Sequence, residues 1–166
     1  MVPLQHDVLG MVEFGSADEP DRWESEIPWR DDTIGVAITV DGTAMDQRTL
    51  DRVGRYVTDL AEFDRAARAA MRTNVNDDCA VRVYLEHHLD GPDLIRPVLG
   101  LDAGSAVSTD AFVNALRLLR VSLYTSAEAS DPEAMFDYSI DPDNTQYLVV
   151  VRFDVHGRIA DICIES

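Results

Sequence analysis

The stretch "QYLVVVRFDV", residues 146–155, decides the fold because its apolar side chains alternate with a period of two. Such alternation is typical of a strand that buries one of its two faces. The buried side of this strand is predicted to consist of Tyr147, Val149, Val151, Phe153 and Val155. The pair "HG" at residues 156–157 predicts a tight turn into a further strand at residues 158–164.

The segments before this strand divide into an extended part and a helical part. Strands are predicted at residues 8–14, 22–29, 33–40, 120–125 and 135–140. Asp46 is a favourable N-cap for a first helix, and Met45 can pack against Leu50 as a hydrophobic staple. This helical stretch is expected to have a break near Glu62. The residues "NDD" at 76–78 begin a second helix that "GP" at 91–92 ends, and a third helix is predicted at residues 109–118.

This order of elements predicts one α+β domain over residues 1–166. We expect a mainly antiparallel sheet of six or seven strands, with three or four helices inserted between the third and fourth strands and packed on one face. The predicted core residues are Ile34, Val36, Ile38, Leu50, Val53, Leu85, Leu116, Val149, Val151 and Phe153.

Composition places the chain among cytoplasmic globular proteins. Apolar residues make up 46% of it, yet no run is long enough for a membrane span, and the first residues do not resemble a secretory signal. Cys79 and Cys163 are far apart and without CxxC spacing, which suits a reducing compartment. The segment beginning at Asp141 has neither the glycine nor the final glutamate of a calcium loop, so no metal site and no cofactor are predicted.

Charge is the most informative feature of the composition. The chain has 31 acidic residues against 14 basic ones, a net charge of -17, and contains no lysine. Mechanisms that need a lysine, such as a phosphate-loop or Schiff-base lysine, are therefore excluded. The charge repels nucleic acids and anionic membranes, and it favours either a basic protein partner or simply solubility.

The adjacent histidines in "YLEHHLD", residues 84–90, are the strongest candidates for chemistry. Neighbouring helical residues diverge by about 100°, so His87 and His88 cannot bind one metal ion from a regular helix. We expect His88 to be packed beside Tyr84 and Leu85 and His87 to be exposed. Packing and helix capping are the favoured interpretation.

Acidic residues lie beside aromatic ones in two regions, and this combination suits binding of arginine- or lysine-rich partners. Residues 18–32 hold Asp18, Glu19 and five further acidic residues beside two tryptophans, and residues 121–151 hold six acidic residues, Glu128 among them, and no basic one. The alternative is a solvated strand edge whose charges prevent aggregation. The predicted partner-binding residues are Trp23, Glu24, Glu26, Trp29, Asp137, Asp141 and Asp143.

The segments "YLEHHLD", "LLRVSLY" and "FDYSI…YLVV…FD…GRIADICIES" resemble a widespread bacterial family of small acidic proteins whose function is unknown. The resemblance runs from Trp23 to the C-terminus, and it supplies no catalytic residues. More loosely, it implies kinship with the acidic immunity proteins encoded near bacterial toxins.

Two functional hypotheses follow from these features. The first is a non-enzymatic cytosolic binding protein, in particular an immunity-type inhibitor that covers the cationic active site of a toxin. The second is a small hydrolase-like enzyme in which His88 or His87 acts as a base and Glu86 or Asp137 orients it. The two are distinguished by whether either histidine lines a pocket with a second titratable group.

Overall fold

The computed structural model describes residues 3–15, 21–41, 45–75, 79–90, 93–126 and 131–166. Outside this range lie the predicted beginning of the second helix at residues 76–78 and its predicted end at residues 91–92. The acidic residues Asp18, Glu19 and Glu128 also lie outside it. Within it the chain is α+β, as the sequence predicts, with a six-stranded sheet, a two-stranded sheet and five helices.

The six strands of the large sheet follow one another in chain order. Their neighbours are antiparallel except for one parallel pair, the strands that flank the helical segment. A parallel pair needs a long crossover connection, and the helices provide it. The strands are β3 (Arg22–Trp29), β4 (Asp32–Thr39), β5 (Arg117–Tyr124), β6 (Ala134–Ser139), β7 (Leu148–Phe153) and β8 (Ile159–Glu165), preceded by the separate hairpin of β1 (Leu4–His6) and β2 (Gly10–Val12).

The helices all fall between β4 and β5, where the sequence places them. They are α1 (Gln47–Thr58), α2 (Leu60–Asn74), α3 (Ala80–Asp90), α4 (Ile95–Val98) and α5 (Thr109–Ala115). The carboxylate of Asp46 accepts a hydrogen bond from the Thr49 backbone N–H at 2.8 Å, which confirms this residue as the N-cap of α1.

The core lies between the helices and one face of the sheet. Alternate side chains of each strand point into it, among them Ile34, Val36, Ile38, Val121, Phe136, Val149, Val151 and Phe153. Ala37 and Val150 are also buried but lie outside this cluster, because they project from the other face. All predicted core residues are buried except Leu85, which is half-buried on α3.

Several predicted elements were wrong in their bounds. The strand predicted at residues 120–125 begins earlier, at Arg117, and the one predicted at residues 146–155 is limited to Leu148–Phe153, so that Tyr147 and Val155 lie outside it and are only half-buried. The strand at residues 8–14 is shorter, because its first residues form the turn of the β1–β2 hairpin. The helix break falls at Asp59 rather than near Glu62. The third helix ends at Ala115, because the chain turns extended at Leu116 and β5 begins directly after it. The sequence prediction also missed the short helix α4, whose four residues are too few for a periodic pattern.

The N-terminal hairpin is fixed to α1 by a close approach of His6 to Gly54. A Cβ atom on Gly54 would lie 2.3 Å from Nε2 of His6, which is too close for any side chain. The Nδ1 atom of His6 accepts hydrogen bonds from the backbone N–H groups of Val8 and Leu9, at 3.2 and 3.3 Å. The glycine inside this helix is therefore a packing requirement of the hairpin.

Candidate functional site

The face of the large sheet opposite the core carries no helix in the described part of the chain. We call it the open face. Cross-strand register places one residue from each strand in a row across it. One central row consists of Glu26, Gly35, Arg120, Asp137, Val150 and Cys163. The neighbouring row consists of Glu24, Ala37, Ser122, Met135, Arg152 and Asp161. Four of these side chains are exposed to solvent, namely Glu24, Glu26, Arg120 and Asp161, whereas Ala37 and Val150 are buried and the other six are half-buried.

Asp137 lies at the centre of the open face, on β6, between Arg120 and Val150. It is half-buried, and its strand lies inside the sheet and not at an edge. The pKa of Asp137 is raised to about 6, chiefly by burial and to a lesser extent by the charge of Glu165, while the charge of Arg120 lowers it. A carboxylate with a pKa perturbed in this way is a feature of functional sites as well as of structural ion pairs.

Arg120 faces Asp137 across the strands but forms no salt bridge with it in the described structure. Its side chain lies over Gly35 instead, where a Cβ atom on the glycine would be 3.8 Å from Nε of the arginine. A shallow cavity of about 250 Å³ lies beside Gly35, and Arg120, Glu24 and Glu26 are among the residues that line it. The missing side chain at Gly35 thus lets Arg120 turn away from Asp137 and toward the two glutamates.

Trp23 and Trp29 do not share this surface, although they alternate with Glu24 and Glu26 on β3. Both tryptophans are half-buried and pack against the core. The guanidinium of Arg30 lies 5.3 Å from the ring centre of Trp29. The structure therefore divides the predicted acid-and-tryptophan cluster between the two faces of the sheet.

Asp141 and Asp143 belong to the turn between β6 and β7, at one end of the sheet. The Asp141 carboxylate accepts a hydrogen bond from the side chain of Asn144 at 2.8 Å, and its backbone carbonyl accepts from the Asn144 and Thr145 N–H groups. Asp143 is exposed and lines a cavity of about 500 Å³ together with His87 and His88. The predicted partner-binding carboxylates thus occupy two surfaces, the open face and this turn.

His88 is 2% exposed and His87 is exposed, as their helical phase predicts. The Nδ1 of His88 is 2.8 Å from the Tyr84 carbonyl oxygen, which can only accept, so Nδ1 carries the proton. Its Nε2 is 2.9 Å from Oγ1 of Thr145 and accepts from that hydroxyl. Burial lowers the pKa of His88, since the charged form is desolvated.

The histidine pocket meets the criterion that the sequence analysis set for an enzyme. Both histidines and the titratable Asp143 line it. The residues suggested to orient the base are elsewhere, however, because Glu86 accepts a hydrogen bond from Arg82 at 2.8 Å and Asp137 lies on the open face. What stands beside His88 is Thr145, a residue that the sequence did not indicate because it is distant along the chain.

Two buried carboxylates were also missed, and both are structural. Asp64 is 1% exposed and forms hydrogen bonds with Arg30, Arg68 and the Tyr138 hydroxyl. Glu133, 2% exposed, lies against a second group of partners on the first helix, Arg52, Arg55 and Tyr56. Buried charges are retained only when they are paired in this way. The arginine four residues after Asp64 was the only sequence signal for either network.

Most arginines are already engaged inside the molecule. Salt bridges hold at least eleven of the 14, namely Arg22, Arg30, Arg52, Arg55, Arg68, Arg72, Arg82, Arg96, Arg117, Arg152 and Arg158. Even if every arginine neutralised one of the 31 carboxylates, 17 would have no arginine or lysine of this chain to pair with. The molecular surface is therefore strongly anionic.

The described residues contain no group of three or more histidine, cysteine, aspartate or glutamate side chains placed to hold a metal ion. None of the helices in this part of the chain combines the length and the apolar character that crossing a membrane requires. We find no protein-family model, curated protein or solved structure that matches the chain. The resemblance to a bacterial family of small acidic proteins stays a prediction.

Proposed function

We propose that this protein is a non-enzymatic cytoplasmic binding protein whose partner is a basic protein. The observation that carries the proposal is the unpaired negative charge, 17 carboxylates in excess over arginine in a molecule whose arginines are largely engaged in salt bridges. Such a surface attracts a cationic partner over a long range and repels nucleic acids.

In its specific form, the proposal is an immunity-type inhibitor of a cationic bacterial toxin. The active site of a nuclease attracts phosphate groups, so a surface of aspartate and glutamate can occupy it by charge mimicry. On the open face Glu24, Glu26 and Asp137 supply carboxylates for this contact, and Asp141 and Asp143 supply a second group at the β6–β7 turn.

The test is capture of the partner by the immobilised protein at low salt, followed by elution with increasing salt. We expect a basic protein, bound in a one-to-one complex and released by salt, whose own activity is inhibited by this protein. A charge-neutralised variant with Glu24→Gln, Glu26→Gln, Asp141→Asn and Asp143→Asn serves as the control and should retain less of it. Partners that are acidic or neutral, or that salt does not release, would contradict the proposal.

A second candidate function, a hydrolase with a histidine base, is favoured by one contact. The Thr145 hydroxyl donates to Nε2 of His88 at 2.9 Å, and the Tyr84 carbonyl fixes the tautomer that makes Nε2 an acceptor. This is the geometry of a nucleophile beside its base. The test is covalent labelling by a fluorophosphonate, with Thr145→Val as the control, and absence of labelling would remove this candidate.

A further inference from the structure

The open face is large enough to hold a protein partner. Its six strands lie about 4.8 Å apart, and six residues of a strand span about 20 Å, so the face covers about 500 Å². A typical complex buries about 800 Å² on each partner. The open face would therefore supply most of one side of such an interface. Its exposed side chains are those of Glu24, Glu26, Arg120 and Asp161, and the half-buried Asp137 lies near its middle beside the buried Val150.

At the centre of this face Asp137 forms no salt bridge within the described structure. Arg120, the nearest arginine by register, lies over Gly35 on the side away from Asp137. Arg152, on the neighbouring strand, is held by Glu165, with Nη2 2.7 Å from Oε1. Neither arginine forms a salt bridge with Asp137, although the charge of Arg120 still lowers the pKa of Asp137 from a distance.

We propose that the open face is the docking surface for the basic partner and that Asp137 accepts an arginine side chain of that partner. This inference rests on the proposed function, and it adds the surface, the central residue and the chemistry of the group that binds there. Glu24 and Glu26 line the same face at its β3 edge, where further basic side chains of the partner would lie.

Arginine suits this position better than lysine for two physical reasons. Asp137 is half-buried beside Val150 and Met135, and a guanidinium is more weakly hydrated than an ammonium group, so it loses less on entering such surroundings. Its planar fork can also donate two parallel hydrogen bonds to one carboxylate. The carboxylate itself gains from the contact, because at neutral pH it is ionised in a place where burial raises its pKa.

The experiment uses two synthetic probes, a peptide of alternating glycine and arginine with four arginines and the same peptide with lysines. Binding at low salt is measured for the wild-type protein, for Asp137→Asn and for Asp102→Asn. Asp102 is exposed on the loop before α5, so its replacement removes the same charge away from the sheet. We expect Asp137→Asn to weaken binding of the arginine peptide by about tenfold or more, the effect of losing one charged hydrogen bond. Asp102→Asn should weaken it by less than about twofold.

A second readout follows the carboxyl carbon of Asp137 by NMR while the pH is varied. The arginine peptide should lower the pKa of Asp137, and the lysine peptide should lower it less. Equal weakening by the two substitutions, or an unchanged pKa of Asp137 with the peptide bound, would overturn the docking surface while leaving a basic partner in place. If neither peptide binds the wild-type protein, the basic-partner function is contradicted together with this surface.

Discussion

Replacement of Asp137 by asparagine should stabilise the folded protein at neutral pH. The pKa of this carboxyl rises from 3.8 to about 6 on folding, chiefly because the group is half-buried. Each tenfold change in a dissociation constant is worth about 1.36 kcal/mol, so holding Asp137 ionised in the folded state costs about 3 kcal/mol. Asparagine has nearly the same shape and carries no charge, and it should recover much of this free energy.

The pH dependence of the stabilisation follows from the direction of the pKa change. The folded-state pKa of Asp137 lies above the unfolded-state value. Asp137 therefore does not destabilise the protein below pH 3.8, where it is protonated in both states, and it lowers the free energy of unfolding progressively as the pH rises through about 6. The free-energy difference between Asp137→Asn and wild type should therefore be about 3 kcal/mol at pH 7.5 and about 1 kcal/mol at pH 4.5.

Urea unfolding of both proteins at the two pH values measures this difference. The matched control is Asp102→Asn, which should change the free energy of unfolding by less than about 0.5 kcal/mol at either pH, as exposed substitutions do. The reasoning is refuted if Asp137→Asn is destabilising at pH 7.5, or if its effect is the same at both pH values. Either result would mean that Asp137 is stabilised by a favourable contact in the folded protein.

Three further substitutions test the packing. Gly54→Ala should destabilise by about 1–3 kcal/mol in urea, although alanine favours helices, because its Cβ would collide with His6. His88→Gln should destabilise the protein and His87→Gln should not, as measured by thermal melts. The stability lost in His88→Gln should shrink as the pH falls below 6.5, because His88 takes up a proton in the unfolded wild-type chain more readily than in the folded one, where it is buried. Phe153→Ala should cost about 3–5 kcal/mol, and a loss below about 0.5 kcal/mol would place its ring outside the core.

Local patterns were enough to predict most of the fold. The alternation along β7 predicted which residues face the core, and Val149, Val151 and Phe153 are fully buried. The helical phase of "YLEHHLD" likewise predicted that His88 is buried and His87 exposed. These features depend on side-chain periods of 2 and 3.6 residues, which the sequence displays directly.

The candidate site was less predictable, because it depends on which strands become neighbours. The alternation around Asp137 already places it opposite Phe136 and Tyr138, but only the strand order shows that β6 is central. Thr145 and His88 are 57 residues apart, and no local pattern joins them. In a chain with 31 acidic residues, carboxylate pairs are too frequent to single out the buried Asp64 and Glu133.

The most direct test of a basic protein partner is the association rate constant of the captured partner, measured by stopped flow at several salt concentrations. If the negative charge steers the encounter, this rate should fall steeply as salt rises, while the dissociation rate changes less, because screening acts mainly before contact. Neutralising Asp137, Asp141 and Asp143 together should slow association at low salt and flatten its salt dependence. An association rate that is independent of salt in the wild-type protein would contradict the proposal.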